Sequence, residues 1–241
     1  MATNIANKPR QGQSSVLFNP SIGKKYLMAI TGIIAFGYLL GHMGGNLLVF
    51  LGQGAINGYA ESLHAIPAAL WAVRIILILA IVIHIWIGIK LAAENSSARP
   101  VAYTKKTFVK ASLASRTMWL SGLTILAFLI YHLLHFTVRV TSPEFQTLVD
   151  SLGRPDVYSM VVRGFSNYAL SAFYIIAVFL TCFHLSHGIS SMFQSLGINN
   201  PRLQRKLDIG AMSFSAILFL GFSSVPVAVM LGYVTPVVRS L

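Results

Sequence analysis

Length, composition and charge exclude an ordinary soluble domain. The 241 residues are 55% hydrophobic and only 10% charged, with a formal net charge of +12, whereas a soluble domain typically carries about 25% charged residues. The positive residues fall mainly between apolar runs, which indicates membrane topology rather than a nucleic-acid partner. With one cysteine, Cys182, and no CxxCH motif, the chain has neither an intrachain disulfide nor a c-type haem attachment.

The chain divides into a short polar tail and one transmembrane domain. Residues 1–23 contain Lys8 and Arg10 but no short apolar core beside a cleavage site, so they predict a cytoplasmic tail and not a removable signal peptide. Residues 24–241 form the domain, an all-α membrane protein, because no run alternates like a barrel strand. Five runs reach the length of about 20 residues that a membrane-spanning helix needs: 26–50, 70–92, 117–138, 168–193 and 209–233.

Gly, Pro, Asn and Ser mark the connections between these runs as loops, among them GQGAINGYAES and TSPEFQTLVDSLGRPD. We find no internal repeat. The distribution of Lys and Arg predicts a cytoplasmic N-terminus and a periplasmic C-terminus. Thirteen lie on the predicted inner side: Lys8, Arg10, Lys24, Lys25, Lys90, Arg99, Lys105, Lys106, Lys110, Arg116, Arg202, Arg205 and Lys206. Five lie on the outer side: Arg74, Arg139, Arg154, Arg163 and Arg239.

Six of the seven histidines fall inside predicted spans. They are His42, His84, His132, His135, His184 and His187. Ionisable groups at membrane depth are costly and rare, and they usually mark a functional pathway. Single histidines can also act as hydrogen-bonding contacts between helices. Six of them on four consecutive helices, with none in the fifth, favour a cofactor-binding bundle formed by the first four helices.

Depth sorts four of these histidines into two pairs. His42 and His132 both fall in the outer half of the membrane, roughly 6 Å above its centre at ~1.5 Å per residue. His84 and His184 fall about as far below the centre. Each level therefore offers one imidazole from each of two helices, which is what a haem held edge-on between helices requires. Such ligands must be neutral, so the cost of burying a charged ring also disappears.

Two positions remain open on residue spacing alone. His135 follows His132 by three residues, and His187 follows His184 in the same way, so each pair lies on nearly the same helix face. Depth favours His132 and His184, and leaves His135 and His187 as competing ligands or as partners for propionates or a quinone. Propionates could also pair with cationic residues near the two levels: Arg74, Arg139 and Arg163 outside, and Lys90 and Arg116 inside.

The ordered motifs of the chain resemble a known family. They are GKKYLMAITG, GHMGGN, NGYAESLHAIP, AENSSARPVAY, YHLLHF and FHLSHGISSMFQSLG. In this order they are similar to the five-helix, di-haem cytochrome b membrane anchor of bacterial succinate dehydrogenase and fumarate reductase. The resemblance spans about residues 20–235. It implies a multi-pass protein of the bacterial cytoplasmic (inner) membrane, which is a subunit of an oxidoreductase complex but does not itself oxidise succinate.

The resemblance also implies two b haems and their ligands. His84 and His184 would hold the inner, proximal haem, and His42 and His132 the outer, distal one. The family places its helix-four ligand thirteen positions before a terminal glycine, which from His184 reaches Gly197. Its helix-three ligand follows an aromatic or small residue near the end of the run, as His132 does, and His135 stays the competitor.

Partners follow from the same resemblance. A flavoprotein subunit and an iron–sulfur subunit would bind on the cytoplasmic side, and a quinone, expected to be menaquinone, towards the outer haem. Glu61 and His64, in the outer loop, are the candidates for exchanging quinone protons. The alternatives are the cytochrome b of a formate dehydrogenase or hydrogenase, and a transporter with histidines for metal or protons. Asp208, at the start of helix five, is the only acidic residue between the ends of the predicted helices, which disfavours the transporter.

Overall fold

The fold is described by a computed structural model over residues 20–97, 113–198 and 200–237. The predicted tail lies almost wholly outside these residues, as do Arg99, Lys105, Lys106, Lys110 and Arg239. Helices dominate the described residues, among which there is no β-strand. In chain order they are α1 (Pro20–Leu47), α2 (Gln53–His64), α3 (Pro67–Ser97), α4 (Leu113–Arg116), α5 (Met118–His132), α6 (Val157–Phe165), α7 (Tyr168–Ser195) and α8 (Pro201–Met230).

Five helices are long and apolar enough to cross a membrane, which confirms the predicted fold class. Their spans are Ile22–Leu51, Pro67–Ser97, Met118–Thr137, Tyr168–Ser195 and Arg202–Met230. Most helices run several residues beyond the apolar runs, because backbone hydrogen bonding continues into polar turns. The fifth instead ends three residues before the predicted 233. Gly232, at a φ of 74°, closes it with a hydrogen bond from Tyr233 N–H to the carbonyl of Ala228 (2.9 Å).

The first four spans form a closed ring. α1 packs on α3, α3 on α5, α5 on α7, and α7 back on α1, while α8 lies against α7 and α1. Large apolar side chains such as Ile78, Trp119 and Leu220 are exposed around this bundle, as expected for surfaces that face lipid. Lys24 at the start of α1 pairs with Glu94 near the end of α3, so these two helix ends are neighbours.

Two connections predicted as loops are partly helical, and this prediction was wrong. GQGAINGYAES forms most of α2, and the segment after α5 contains a 3-10 turn, Pro143–Thr147, before α6. Ala, Glu and Gln favour helix in α2, and the helix is stabilised because Ile56 and Asn57 are buried. Together α2, residues 139–156 and α6 form a cap over the predicted outer end of the bundle.

The cap is held by two buried carboxylates and one buried amide. The Nδ2 group of Asn57 donates to Asp150 (3.2 Å) and Asp156 (3.0 Å), and its Oδ1 accepts from the N–H of Tyr158 (3.0 Å). Arg154 donates to Asp150 at 2.8 Å. Asp156 also caps α6 by accepting from Ser159 N–H at 3.1 Å. One asparagine thus joins α2 to both carboxylates and to the first turn of α6.

Replacing Asn57 with alanine should loosen the cap. The substitution leaves Tyr158 N–H and two buried carboxylates each short of a partner, which typically destabilises by about 1–3 kcal/mol per unsatisfied group. We expect a lower unfolding temperature of the purified protein and faster hydrogen exchange in α2 and α6. Ser62→Ala, an exposed hydroxyl on α2 bonded within its own helix, is the matched control. Equal melting of the two variants would contradict this role for Asn57.

The cap should also be sensitive to acid. Burial by itself raises the pKa of Asp150, but hydrogen bonds from Arg154 and Asn57 outweigh it and lower this pKa to about 2. A depressed carboxyl pKa stabilises the fold above its unfolded value of ~3.9, and this stabilisation disappears as the pH falls towards the folded value. We therefore expect unfolding temperature to drop between about pH 4 and pH 2. Asp150→Asn should flatten that slope, and an unchanged slope would refute the assignment.

Candidate functional site

The six membrane-depth histidines lie on four helices of the ring and the turn that follows one of them. His42 is on α1, His84 on α3, His132 at the end of α5, and His184 and His187 on α7. His135 lies in a π-helical turn, Leu133–Thr137, that continues α5. All but His135 are half-buried. Among the described residues no group of three or more His, Cys, Asp or Glu side chains converges on one point.

The outer pair meets directly. The rings of His42 and His132 lie 5.8 Å apart between centres, with their planes at 78°. Ordinary aromatic contacts cover the same distance range, so the contact alone does not identify a ligand pair. What distinguishes it is the Nδ1 atom of His132, which is buried without a hydrogen-bond partner. A buried unpaired ring nitrogen needs a ligand or a donor, and it suits a metal-bound group.

His42 has polar and aromatic neighbours on its own helix and on α8. Tyr38 stacks on it at 5.4 Å, and Phe222 of α8 lies at 5.8 Å. The amide of Asn46 approaches its Nε2 atom at 3.3 Å but binds the backbone carbonyl of His42 more closely, at 2.7 Å. The contact to Nε2 is therefore a long one, beyond the usual N–H···O range, and a stronger ligand would replace it readily.

His135 faces a different environment. It is only 1% exposed, and its Nδ1 atom lies 2.9 Å from the hydroxyl of Tyr174. The rings of Phe136 and Phe145 enclose it at 4.1 Å and 5.6 Å. His132 also lies against Tyr174 (5.9 Å) and Phe136 (5.7 Å), so the two histidines share neighbours, as their spacing of three predicts. They differ in their further contacts, because His135 also lies against Phe145 of the cap and His132 against His42.

The inner pair is approached by two hydroxyls that the sequence analysis missed. Thr31 Oγ1 of α1 lies 3.0 Å from His84 Nδ1, and Ser121 Oγ of α5 lies 2.9 Å from His184 Nδ1. A signal existed in the sequence, since each hydroxyl is followed by glycine and stands eleven residues before an outer histidine (42 − 31 and 132 − 121).

His187 belongs to a polar contact between α7 and α8. Its ring is within electrostatic range of Asp208. Asp208 accepts hydrogen bonds from Ser190 and from Gln204, the latter at 2.8 Å. His187, the alternative to His184 as a ligand, therefore lies near α8, the fifth membrane-spanning helix.

The predicted cationic residues differ in their surroundings. Arg74 lies 5.1 Å from the ring of Trp71 and interacts electrostatically with Tyr38, the residue stacked on His42. Arg139, at a φ of 63°, donates to the carbonyl of Phe145 at 3.3 Å. Of the outer candidates, Arg74 is the one linked to the outer pair.

The remaining candidates are exposed. Arg163 and Arg116 both lie at the surface. Lys90 extends over the ring of Trp86 at 4.2 Å, an exposed position on α3. Interfacial lysines with this geometry usually anchor a helix at the membrane surface.

Glu61 and His64 lie on the exposed face of α2. Glu61 is 59% exposed and pairs with Arg154 at 3.5 Å. His64 is bonded through Nδ1 to the carbonyl of Ala60 at 2.7 Å. The residue of α2 that reaches α1 is Tyr59, whose ring would lie 2.7 Å from a Cβ placed on Gly45. Glycine at position 45 is therefore needed for this contact between cap and bundle.

Comparison with known proteins agrees with this architecture. The succinate dehydrogenase/fumarate reductase transmembrane subunit family matches residues 97–222. The succinate dehydrogenase cytochrome b558 subunit of Bacillus subtilis (strain 168) is 24% identical over 204 residues, covering 83% of this chain and 93% of the relative. No solved structure matches the chain significantly. Because the family match covers more than half of the sequence, the chain belongs to the succinate dehydrogenase/fumarate reductase transmembrane subunit family.

Proposed function

We propose that this chain connects the soluble subunits of a succinate:quinone oxidoreductase to a quinone through two bis-histidine b haems. The single observation that carries the proposal is the direct approach of His42 on α1 to His132 on α5, beside an unpaired Nδ1 atom. The name of the relative, a cytochrome b558 subunit, supports haem of the b type. As a family member with five apolar helices, the chain is a multi-pass protein of the bacterial cytoplasmic membrane.

The four ligand histidines have the properties that bis-histidine ligation needs. Bound haem would supply one-electron redox chemistry, with no open position on the iron for oxygen or substrate. His84 and His184 hold the inner group, and His42 and His132 the outer one. Each pair joins two helices of the ring, so ligand spacing is set by helix packing and not by flexible loops. The half-buried rings are held neutral, as ligation requires.

The orientation follows from the charge pattern, and the partners follow from the family. Lys24, Lys90 and Arg202 lie at one end of the bundle, which we assign to the cytoplasm, where the flavoprotein and iron–sulfur subunits bind. The inner histidines lie at this end. The cap covers the opposite end, beside the outer pair, where we place the quinone, menaquinone in our proposal. The chain itself performs no succinate chemistry.

The quinone side retains Glu61 and His64 as its first candidates for proton exchange. Both are exposed at the cap and open to the outer compartment. Arg74 is the strongest propionate candidate, since it interacts with Tyr38 and Tyr38 stacks on His42. Proton uptake at this end, with succinate protons released at the other, would couple turnover to the membrane potential.

Counting haems tests the proposal. The complex purified from membranes should give two b haems per chain in a pyridine haemochrome assay, and copurify with a succinate-oxidising flavoprotein. His84→Ala and His184→Ala should each remove one haem, and His42→Ala and His132→Ala the other. A purified complex without b-type bands would refute the proposal.

The same assay separates the competing ligands. His135→Ala and His187→Ala are expected to keep both haems, because His135 is bonded to Tyr174 and His187 lies towards Asp208. His135→Ala should nevertheless destabilise the cap, because it removes the ring that bonds the Tyr174 hydroxyl and leaves a small cavity. Loss of a haem from His135→Ala, with His132→Ala silent, would reverse the assignment on α5.

A further inference from the structure

We infer that Thr31 and Ser121 are matched positioning residues, each holding one inner histidine with its Nε2 atom free to bind iron. The inference rests on the proposed function, in which His84 and His184 are the inner ligands. Thr31 Oγ1 lies 3.0 Å from His84 Nδ1, and Ser121 Oγ lies 2.9 Å from His184 Nδ1. Thr31 is 4% exposed and Ser121 7%, so water does not compete for either contact.

The direction of each hydrogen bond follows from the second bond of the hydroxyl. Thr31 Oγ1 donates to the carbonyl of Leu27 (2.7 Å), with that of Met28 at 3.1 Å. Ser121 Oγ donates to the carbonyl of Met118 at 3.1 Å. A hydroxyl has one hydrogen and two lone pairs. With its hydrogen directed at its own helix, it can only accept from the imidazole, so Nδ1 carries the proton and Nε2 keeps its lone pair.

Thr31 on α1 and Ser121 on α5 stand at the same distance in sequence from the outer histidine of their helix. Thr31-Gly32 precedes His42 by eleven residues, and Ser121-Gly122 precedes His132 by eleven. Eleven residues are close to three helical turns, so each helix presents its hydroxyl and its outer histidine on one face. The repeat, [Thr/Ser]-Gly-x9-His, therefore relates α1 and α3 to α5 and α7, although no repeat was evident in the sequence analysis.

Glycine after each hydroxyl fits the same role. A Cβ at Gly32 would lie 3.6 Å from Cε1 of His84, and one at Gly122 would lie 3.7 Å from Cε1 of His184. The two rings thus approach the neighbouring helix backbone at nearly equal distances. Hydroxyls that bond only to their own helix are common in membrane helices, and Thr124, one turn from Ser121, is one of them. The contact to a histidine is what sets Thr31 and Ser121 apart.

A hydrogen bond from Nδ1–H to an oxygen makes an imidazole a more basic ligand and favours the ferric state. Potentiometric titration of the purified complex should therefore show a more positive midpoint potential for one haem in Thr31→Val and in Ser121→Ala. The ferric low-spin EPR signal of that haem should change as well. His84→Ala identifies this haem as the inner one, and the outer haem should keep its wild-type potential. Thr124→Val is the matched control and should leave both potentials unchanged.

Conservative variants separate positioning from packing. Thr31→Ser and Ser121→Thr keep the hydroxyl and should retain both haems at wild-type potentials, even if Thr31→Val loses the inner haem altogether. Wild-type potentials and EPR signals in Thr31→Val and Ser121→Ala would overturn the inference while leaving the proposed function intact. Haem loss in Thr31→Ser would overturn it too, because the hydroxyl is kept. A wild-type complex with no b haem would refute the proposed function instead.

Discussion

The structure depends on one constraint, which is that an imidazole at membrane depth needs a partner for each ring nitrogen. Water is absent there, and an unpaired polar atom costs several kcal/mol, on the order of a lost hydrogen bond or more. His135 meets the constraint at Nδ1 through Tyr174, and His84 and His184 meet it at Nδ1 through Thr31 and Ser121. Under the proposed function, haem iron would be the partner of Nε2 on His84 and His184.

The helix ring and the cap serve this arrangement in different ways. Four helices packed in a closed ring bring His42 of α1 against His132 of α5 across the ring, because rigid helices convert residue spacing into height. The cap closes the outer end through Asn57 and the carboxylates of Asp150 and Asp156. These two carboxylates are buried but lie outside the apolar spans, and their hydrogen-bond network stabilises the ionised form.

The five spans could be predicted from the sequence, because hydrophobic length is a local property and the bilayer imposes a helical conformation on every apolar run. The sequence also sufficed to bring His42 and His132 to one level. It did not show α2 or α6, since a helix stabilised by burying Asn57 against a distant carboxylate depends on tertiary contacts. Nor did it show that Tyr174 would bond His135, since that contact joins residues 39 positions apart in the chain.

The hydroxyls of Thr31 on α1 and Ser121 on α5 contact the inner histidines, so the inner and outer histidines have different hydrogen-bond partners. Each of these helices carries an outer histidine and, three turns away, a hydroxyl that contacts the inner histidine of the next membrane-spanning helix, α3 or α7. The inner rings are therefore fixed from outside their own helices. His132, by contrast, leaves its Nδ1 atom unpaired, and His42 has only the long contact to Asn46. Because outer-shell hydrogen bonds tune ligand basicity, under the proposed function this difference would give two bis-histidine haems different potentials.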